Sequence, residues 1–120
     1  MDDEIRRIVD SERTRSRLAA SRLAALLERA RTEAGRLAER FAREEPSLKR
    51  VILFGSVAAG RVRSERFDID LAVEADRLGS LLCIAEESEF RVDLLDLSST
   101  SESFRRIVQE RGITLHDSRR

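Results

Sequence analysis

Hydrophobic residues in the first 45 positions recur at helical spacing. They step by threes and fours through Leu23, Leu26, Leu27, Ala30, Ala34, Leu37 and Phe41. This spacing places them on one face of an α-helix, and the segment is rich in the helix formers Ala, Leu, Arg and Glu. Upstream the stripe is reduced to Ile5, Ile8 and Val9, followed by the polar run "SERTRSR" at 11–17. We expect one long helix with a solvated middle, or two helices, ending before Pro46.

The second half of the chain changes to shorter segments in which strands alternate with helices. "RVILFGS" is a continuous apolar run ended by glycine, and "FDIDLAVE" alternates from Phe67 through Val73, so both predict strands. "FRVDLLDL" predicts a third strand and "ITLHD" a short edge strand. The intervening segments predict a short helix or turn and then two helices; in chain order they read "SVAAGRV", "DRLGSLLCIAEESE" and "SSTSESFRRIVQERG".

Alternating strands and helices predict an α/β (α+β) fold, in which a small sheet flanked by helices follows the long N-terminal helix. We expect two parts, a helical extension at 1–46 and a sheet domain at 47–120. A helix of about 40 residues would be roughly 60 Å long, against the ~25–30 Å across a domain of this size. Part of it must therefore project, fold back or pack against another chain.

Composition limits the class of protein. The chain has 120 residues, 41% hydrophobic and 38% charged, and no apolar run approaches the ~20 residues of a membrane span. The charged start "MDDEIRRIVD" is unlike a signal peptide, and the single cysteine excludes an internal disulfide, so we expect a cytoplasmic protein. We expect this residue, Cys83, in the core. Equal basic and acidic counts, 23 each, argue against general nucleic-acid binding.

Candidate chemistry is concentrated in "FGSVAAGRVRSERFDID", residues 54–70. Alternate residues of a strand share a face, so Asp68 and Asp70 should point the same way. Two neighbouring carboxylates repel, and a divalent cation removes that penalty. Mg²⁺ takes oxygen ligands, commonly one or two carboxylates together with substrate phosphates. The pair therefore predicts a metal site.

Two further elements extend this site. Gly55 and Ser56 follow a strand, where free backbone N–H groups and a hydroxyl can hold a phosphate. Asp93 on the third strand could complete a three-carboxylate cluster. Asp96 lies three residues later, on the opposite face of that strand, so only one of the two can join, and we favour Asp93.

"GS" at 55–56, "DID" at 68–70 and "VDL" at 92–94 together resemble the nucleotidyltransferase superfamily that includes DNA polymerase beta. The stretch from about residue 50 to 117 resembles its smallest branch, the minimal nucleotidyltransferases (MNT), which are antitoxins encoded beside HEPN ribonuclease toxins. Residues 1–45 lie outside the resemblance. Two positions differ from the family pattern: Ala59 and Phe67 stand where many members have arginine and serine.

The resemblance implies a function and its residues. Asp68, Asp70 and Asp93 would bind two Mg²⁺ ions, and Gly55 and Ser56 would hold the phosphates of a nucleoside triphosphate. ATP would be the donor, and a protein or small-molecule hydroxyl, such as a tyrosine of a HEPN-type toxin, the acceptor. The resemblance also implies that the sheet domain at 47–120 is a minimal nucleotidyltransferase domain, with a mixed β-sheet flanked by helices.

Two hypotheses stay open on the sequence alone. The first is a Mg²⁺-dependent nucleotidyltransferase that acts as an antitoxin. The alternative is a catalytically weak binding module that neutralises a HEPN-type partner by occlusion. In either case, the N-terminal helix is expected to pack against the partner or against a second copy of the chain.

Overall fold

The computed structural model describes residues 2–119, which form helices and strands in alternation after a long first helix. The predicted α/β class is confirmed. The helices are α1 (Asp3–Glu44), α2 (Gly55–Ala59), α3 (Gly79–Glu86) and α4 (Glu102–Arg111), with a 3₁₀ turn at Leu97–Ser99. The strands are β1 (Arg50–Phe54), β2 (Ile69–Glu74), β3 (Val92–Asp96) and β4 (Ile113–Asp117).

The four strands make one mixed sheet in the order β3-β2-β1-β4. β1 runs antiparallel to both β2 and β4, whereas β2 and β3 are parallel. β4 therefore lies at an edge, as its short sequence predicts. The end of β1 and the starts of β2 and β3 meet at the same end of the sheet, and the candidate residues lie there.

α1 is a single continuous helix of 42 residues, which decides between the two predicted arrangements. The Asp2 carboxylate caps it by accepting from the Glu4 amide, and it ends at Glu44, before Pro46. Residues 2–22 are exposed apart from the half-buried Val9. The molecule measures 66 Å along its longest axis, close to the ~63 Å expected of such a helix. The N-terminal half of α1 thus projects from the rest.

The C-terminal half of α1 is part of the main core. Its buried apolar residues are Ala30, Ala34, Leu37, Ala38 and Phe41. They pack in one cluster with the inward faces of β1 and β2 and with Leu81 and Ile84 of α3. The core contains residues from both sides of position 46, so packing is continuous across the predicted domain boundary. The boundary itself stays a prediction. A smaller cluster on the other sheet face contains Ile52, Ala72, Leu97 and Val108.

Two details of the sequence prediction are corrected. β2 begins at Ile69 rather than Phe67, so Asp68 precedes the strand. Cys83 is exposed and not in the core. The buried face of α3 consists of Leu81, Ile84 and Ala85, and position 83 falls on the outer side of that short helix. Along residues 2–119, no helix combines the length and apolar character needed to cross a membrane.

A buried carboxylate joins α1 to the segment after α3. Glu33 accepts from the Arg36 guanidinium at 2.6 and 2.9 Å and from the Ser88 hydroxyl. The hydrogen bonds from Arg36 hold the pKa of Glu33 below its usual value, against the opposing effect of burial. The charged form of Glu33 is therefore the one that stabilises the fold.

We predict that Glu33→Gln lowers the free energy of unfolding at neutral pH by about 1–2 kcal/mol, because a charge-assisted network is lost. Since the pKa of Glu33 is lowered by folding, its contribution is present above the unfolded value of ~4.3 and is lost as pH falls through the folded value. The difference between wild type and Glu33→Gln should accordingly shrink on acidification. Chemical denaturation at pH 7 and pH 3 measures both effects.

Glu12→Gln is the matched control. Glu12 pairs with Arg15 on the same helix at the same i, i+3 spacing, at 2.6 Å, but both side chains are more than 60% exposed. An exposed pair contributes little to stability, so this variant should unfold like wild type at both pH values. Equal destabilisation by the two substitutions would contradict the role given to Glu33.

Candidate active site

The register of the sheet places two of the predicted acids side by side. Asp70 pairs with Phe54 of β1 on one side and with Asp93 of β3 on the other. Cross-strand partners point to the same face. Ile69, Leu71 and Val73 face α1, so Asp70 and Asp93 lie on the opposite face, towards α4. Asp68 lies one residue before the start of β2.

The three carboxylates repel one another. Burial raises the pKa of Asp70 above its usual value, and the charges of Asp93 and Asp68 raise it further. Asp68 lies 3.7 Å from the guanidinium of Arg91, and this contact is largely exposed. Across the described residues, no three acidic, histidine or cysteine side chains converge closely enough to hold a metal ion. Carboxylate oxygens are the type of ligand that Mg²⁺ prefers, and these lie at one end of the sheet without forming a closed cage.

Gly55 is packed against the Asp70 carboxylate. Its φ of 75° lies in the left-handed region, and a Cβ atom at this position would overlap Oδ2 of Asp70. Glycine is therefore required both for the backbone conformation and for the close approach. Ser56 follows, half-buried, in α2. The structure brings both predicted phosphate-binding residues next to the central acid.

Asp96 lies apart from this group. It pairs with Val73 in the sheet register, three positions beyond the Asp70–Asp93 pair. Its carboxylate accepts from the Ser98 amide and hydroxyl and from the Ser99 hydroxyl, which caps the 3₁₀ turn and holds the pKa of Asp96 below its usual value. The strand alternation thus separates Asp93 from Asp96 correctly, and Asp96 has a structural role of its own.

Arg31 is a contact at this site that sequence reasoning missed. From α1, its Nε donates to the Val57 carbonyl and its Nη2 to the Ala58 carbonyl, each at 3.1 Å. These are carbonyls of α2, the helix that begins at Gly55. Val57 and Ala58 lie 26 and 27 positions after Arg31 in the sequence, and no local pattern links residues so far apart. The sequence therefore carries no signal for this contact.

Two pairs of phenylalanines lie near the acids in the fold. Phe54 and Phe104 meet edge-to-face with their ring centroids 6.1 Å apart. They lie beside an open cavity of about 310 Å³ between α4 and Gly55. Phe67, which departs from the family pattern, packs on Phe90 at 6.1 Å and ties the residues before β2 to those before β3. Ala59, the other departure, lines the cavity.

Comparisons with known proteins agree with this geometry. Residues 37–120 match the family described as polymerase beta, nucleotidyltransferase. Among solved structures, a toxin–antitoxin complex with AMP-PNP aligns at 29% identity and a TM-score of 0.57, over 71% of this chain and 74% of that chain. Among curated proteins there is no significant match.

A second solved structure is a complex of a tri-AMPylated Shewanella oneidensis HEPN toxin with an MNT antitoxin. It aligns at 25% identity and a TM-score of 0.54, over 74% of this chain and 73% of that chain. The family match covers the sheet, the three acids and only the last turns of α1, residues 37–44. This chain therefore belongs to the polymerase beta nucleotidyltransferase family, as its motifs predict.

Proposed function

We propose that this protein transfers a nucleoside monophosphate from ATP to a hydroxyl group of a HEPN-type toxin and thereby acts as its antitoxin. The observation that carries the proposal is the pairing of Asp70 with Asp93 on one sheet face, with Gly55 packed against Asp70. Support also comes from the similar structures, one with AMP-PNP and one with an AMPylated HEPN toxin.

The proposed roles follow from position. Asp68, Asp70 and Asp93 would hold two Mg²⁺ ions, while the backbone at Gly55 and the Ser56 hydroxyl would hold phosphate oxygens of ATP. Bound there, Mg²⁺ would offset the charge of carboxylates and phosphates and lower the pKa of the acceptor hydroxyl. Burial, and after it the charges of Asp93 and Asp68, raises the pKa of Asp70, and a bound cation would relieve the part that comes from like-charge repulsion.

In the proposed reaction, the acceptor oxygen attacks the α-phosphorus in line, and the bond from that phosphorus to the β-phosphate bridging oxygen breaks. Pyrophosphate leaves, and the proton of the hydroxyl is lost to solvent. Asp93 is exposed on an edge strand, so an acceptor from another molecule can approach it. The protein mainly positions the reactants and neutralises charge.

The direct test combines the protein with α-labelled ATP, Mg²⁺ and the HEPN-type protein encoded beside it. We expect covalent label on that partner, and none when a chelator replaces Mg²⁺. Calorimetry should likewise show weaker ATP binding in excess chelator. Neutralised toxin without label would favour the alternative, a binding module that acts by occlusion.

We predict that Asp70→Asn abolishes transfer while the protein becomes somewhat more resistant to unfolding at neutral pH. The substitution removes a half-buried charge whose pKa is raised by burial and by two like charges. Labelling of the partner and thermal unfolding, measured on the same preparation, test both parts. Near-normal turnover in Asp70→Asn would show that the metal assignment is wrong.

We predict opposite effects for Asp93→Ala and Asp96→Ala. Asp93→Ala should lower transfer by orders of magnitude with little effect on stability, because Asp93 is exposed beside Asp70. Asp96→Ala should keep transfer but lose about 1 kcal/mol of stability, because a cap is removed. Initial labelling rates and denaturation midpoints separate the two, and the reverse ranking would contradict the assignment.

We further propose that the projecting half of α1 contacts the HEPN-type partner. Ile5, Ile8 and Leu18 are 52%, 58% and 56% exposed there, on a helix segment that touches little of its own domain. Exposed apolar residues on a projecting element are typical of an interaction site. The same segment could instead pair with a second copy of this chain.

A chain lacking residues 1–20 should bind the partner more weakly, as light scattering and titration of the mixture would show. Ile8→Glu should weaken binding in the full chain, whereas Cys83→Glu, which also introduces a charge at an exposed position but on the outer side of α3, should not. Unchanged partner affinity after truncation would exclude this role. If the truncated chain lost self-association but kept its affinity for the partner, the helix would be assigned to contacts between copies of this chain.

A further inference from the structure

We infer that Arg31 is a positioning residue for the transferase site, an inference that rests on the function proposed above. Arg31 lies on α1, outside the motifs that identify the site. Its guanidinium reaches across to α2 and donates to two successive carbonyls, those of Val57 and Ala58. A planar guanidinium suits two acceptors held side by side, whereas an ammonium offers only a point charge.

Two further residues, Gly60 and Glu28, lie close to this guanidinium. Gly60 ends α2 in the left-handed conformation, and a Cβ atom there would lie 3.4 Å from Nη2 of Arg31. Glu28, one turn earlier on α1, has a carboxylate oxygen 3.7 Å from Nη1. The Arg31 side chain is 35% exposed, so its stem is packed while its head is held between α1 and α2.

α2 has only five residues, so hydrogen bonds that fix the carbonyls of Val57 and Ala58 also restrict the position of its first residues, where the site lies. Gly55 lies at its other end, and the Gly55 backbone packs against the Asp70 carboxylate. Val57 is the buried residue that holds α2 to the core. Without Arg31, α2 could pivot about Val57, and both the Gly55–Ser56 turn and the support for Asp70 would lose their fixed position.

Arg31 also lies where α1 enters the core. Ala30 and Ala34 are fully buried on either side of it, whereas the helix up to residue 22 is exposed. The backbone at Arg31 is thus held by the packed core, and the guanidinium that contacts α2 extends from this fixed part of α1. This makes a positioning role physically reasonable, since only a rigid donor can hold a turn in place.

The test compares Arg31→Gln and Arg31→Lys with Glu33→Gln. Glu33 is two residues along the same helix, and its hydrogen bonds go to Arg36 and Ser88 rather than to α2. We expect Arg31→Gln to raise KM for ATP about tenfold, the effect of losing one or two hydrogen bonds that hold the turn. Arg31→Lys should be intermediate, and Glu33→Gln should keep the wild-type KM despite its lower stability.

A second measurement does not depend on transfer activity. Backbone amide hydrogen exchange at residues 55–60 should be faster in Arg31→Gln, and in Arg31→Lys to a smaller extent, but unchanged in Glu33→Gln. If the wild type transferred no label, the proposed function would fail, yet faster exchange confined to 55–60 would still support the positioning role. Unchanged exchange at 55–60 in both Arg31 variants would overturn the inference. So would a rise in KM for ATP in Glu33→Gln as large as in Arg31→Gln, because KM would then depend only on the loss of stability.

Discussion

The surrounding packing must hold the Asp70 carboxylate in a place where its charge is unfavourable. The carboxylate is half-buried, with Asp93 beside it in the register and Asp68 two residues earlier, and its raised pKa reflects that environment. A charge in such a place costs free energy of folding. The fold tolerates this cost because Ile69, Leu71 and Val73 of the same strand are fully buried on the opposite face.

The same strand therefore has two functions, separated by its period of two. Its face towards α1 supplies core, and its face towards α4 supplies the carboxylate. Gly55 completes the arrangement, since any side chain at that position would displace the Asp70 carboxylate. Sites of this kind are destabilising by themselves and need a well-packed scaffold around them.

α1 supplies much of that scaffold. Residues such as Leu37 and Phe41 cover the sheet, Glu33 ties the helix to Ser88, and Arg31 holds α2. The remaining N-terminal half projects into solvent on the same continuous helix. The element that we propose to meet a partner is therefore rigidly joined to the element that holds the Gly55–Ser56 turn.

The sequence by itself determined the features that depend on local spacing. These include the stop of α1 before Pro46 and the alternation that separates Asp93 from Asp96. The family also followed from it, because the motif set depends on residue type and spacing along the chain.

Which distant residues meet depends on tertiary packing. The outward orientation of Cys83, the pairing of Asp70 with Asp93 and the contact from Arg31 to α2 each depend on how elements pack. A helical stripe predicts that a face is buried but not what covers it, because partners far apart in sequence leave no local periodicity. The physical reason is that packing selects among several arrangements with the same local preferences.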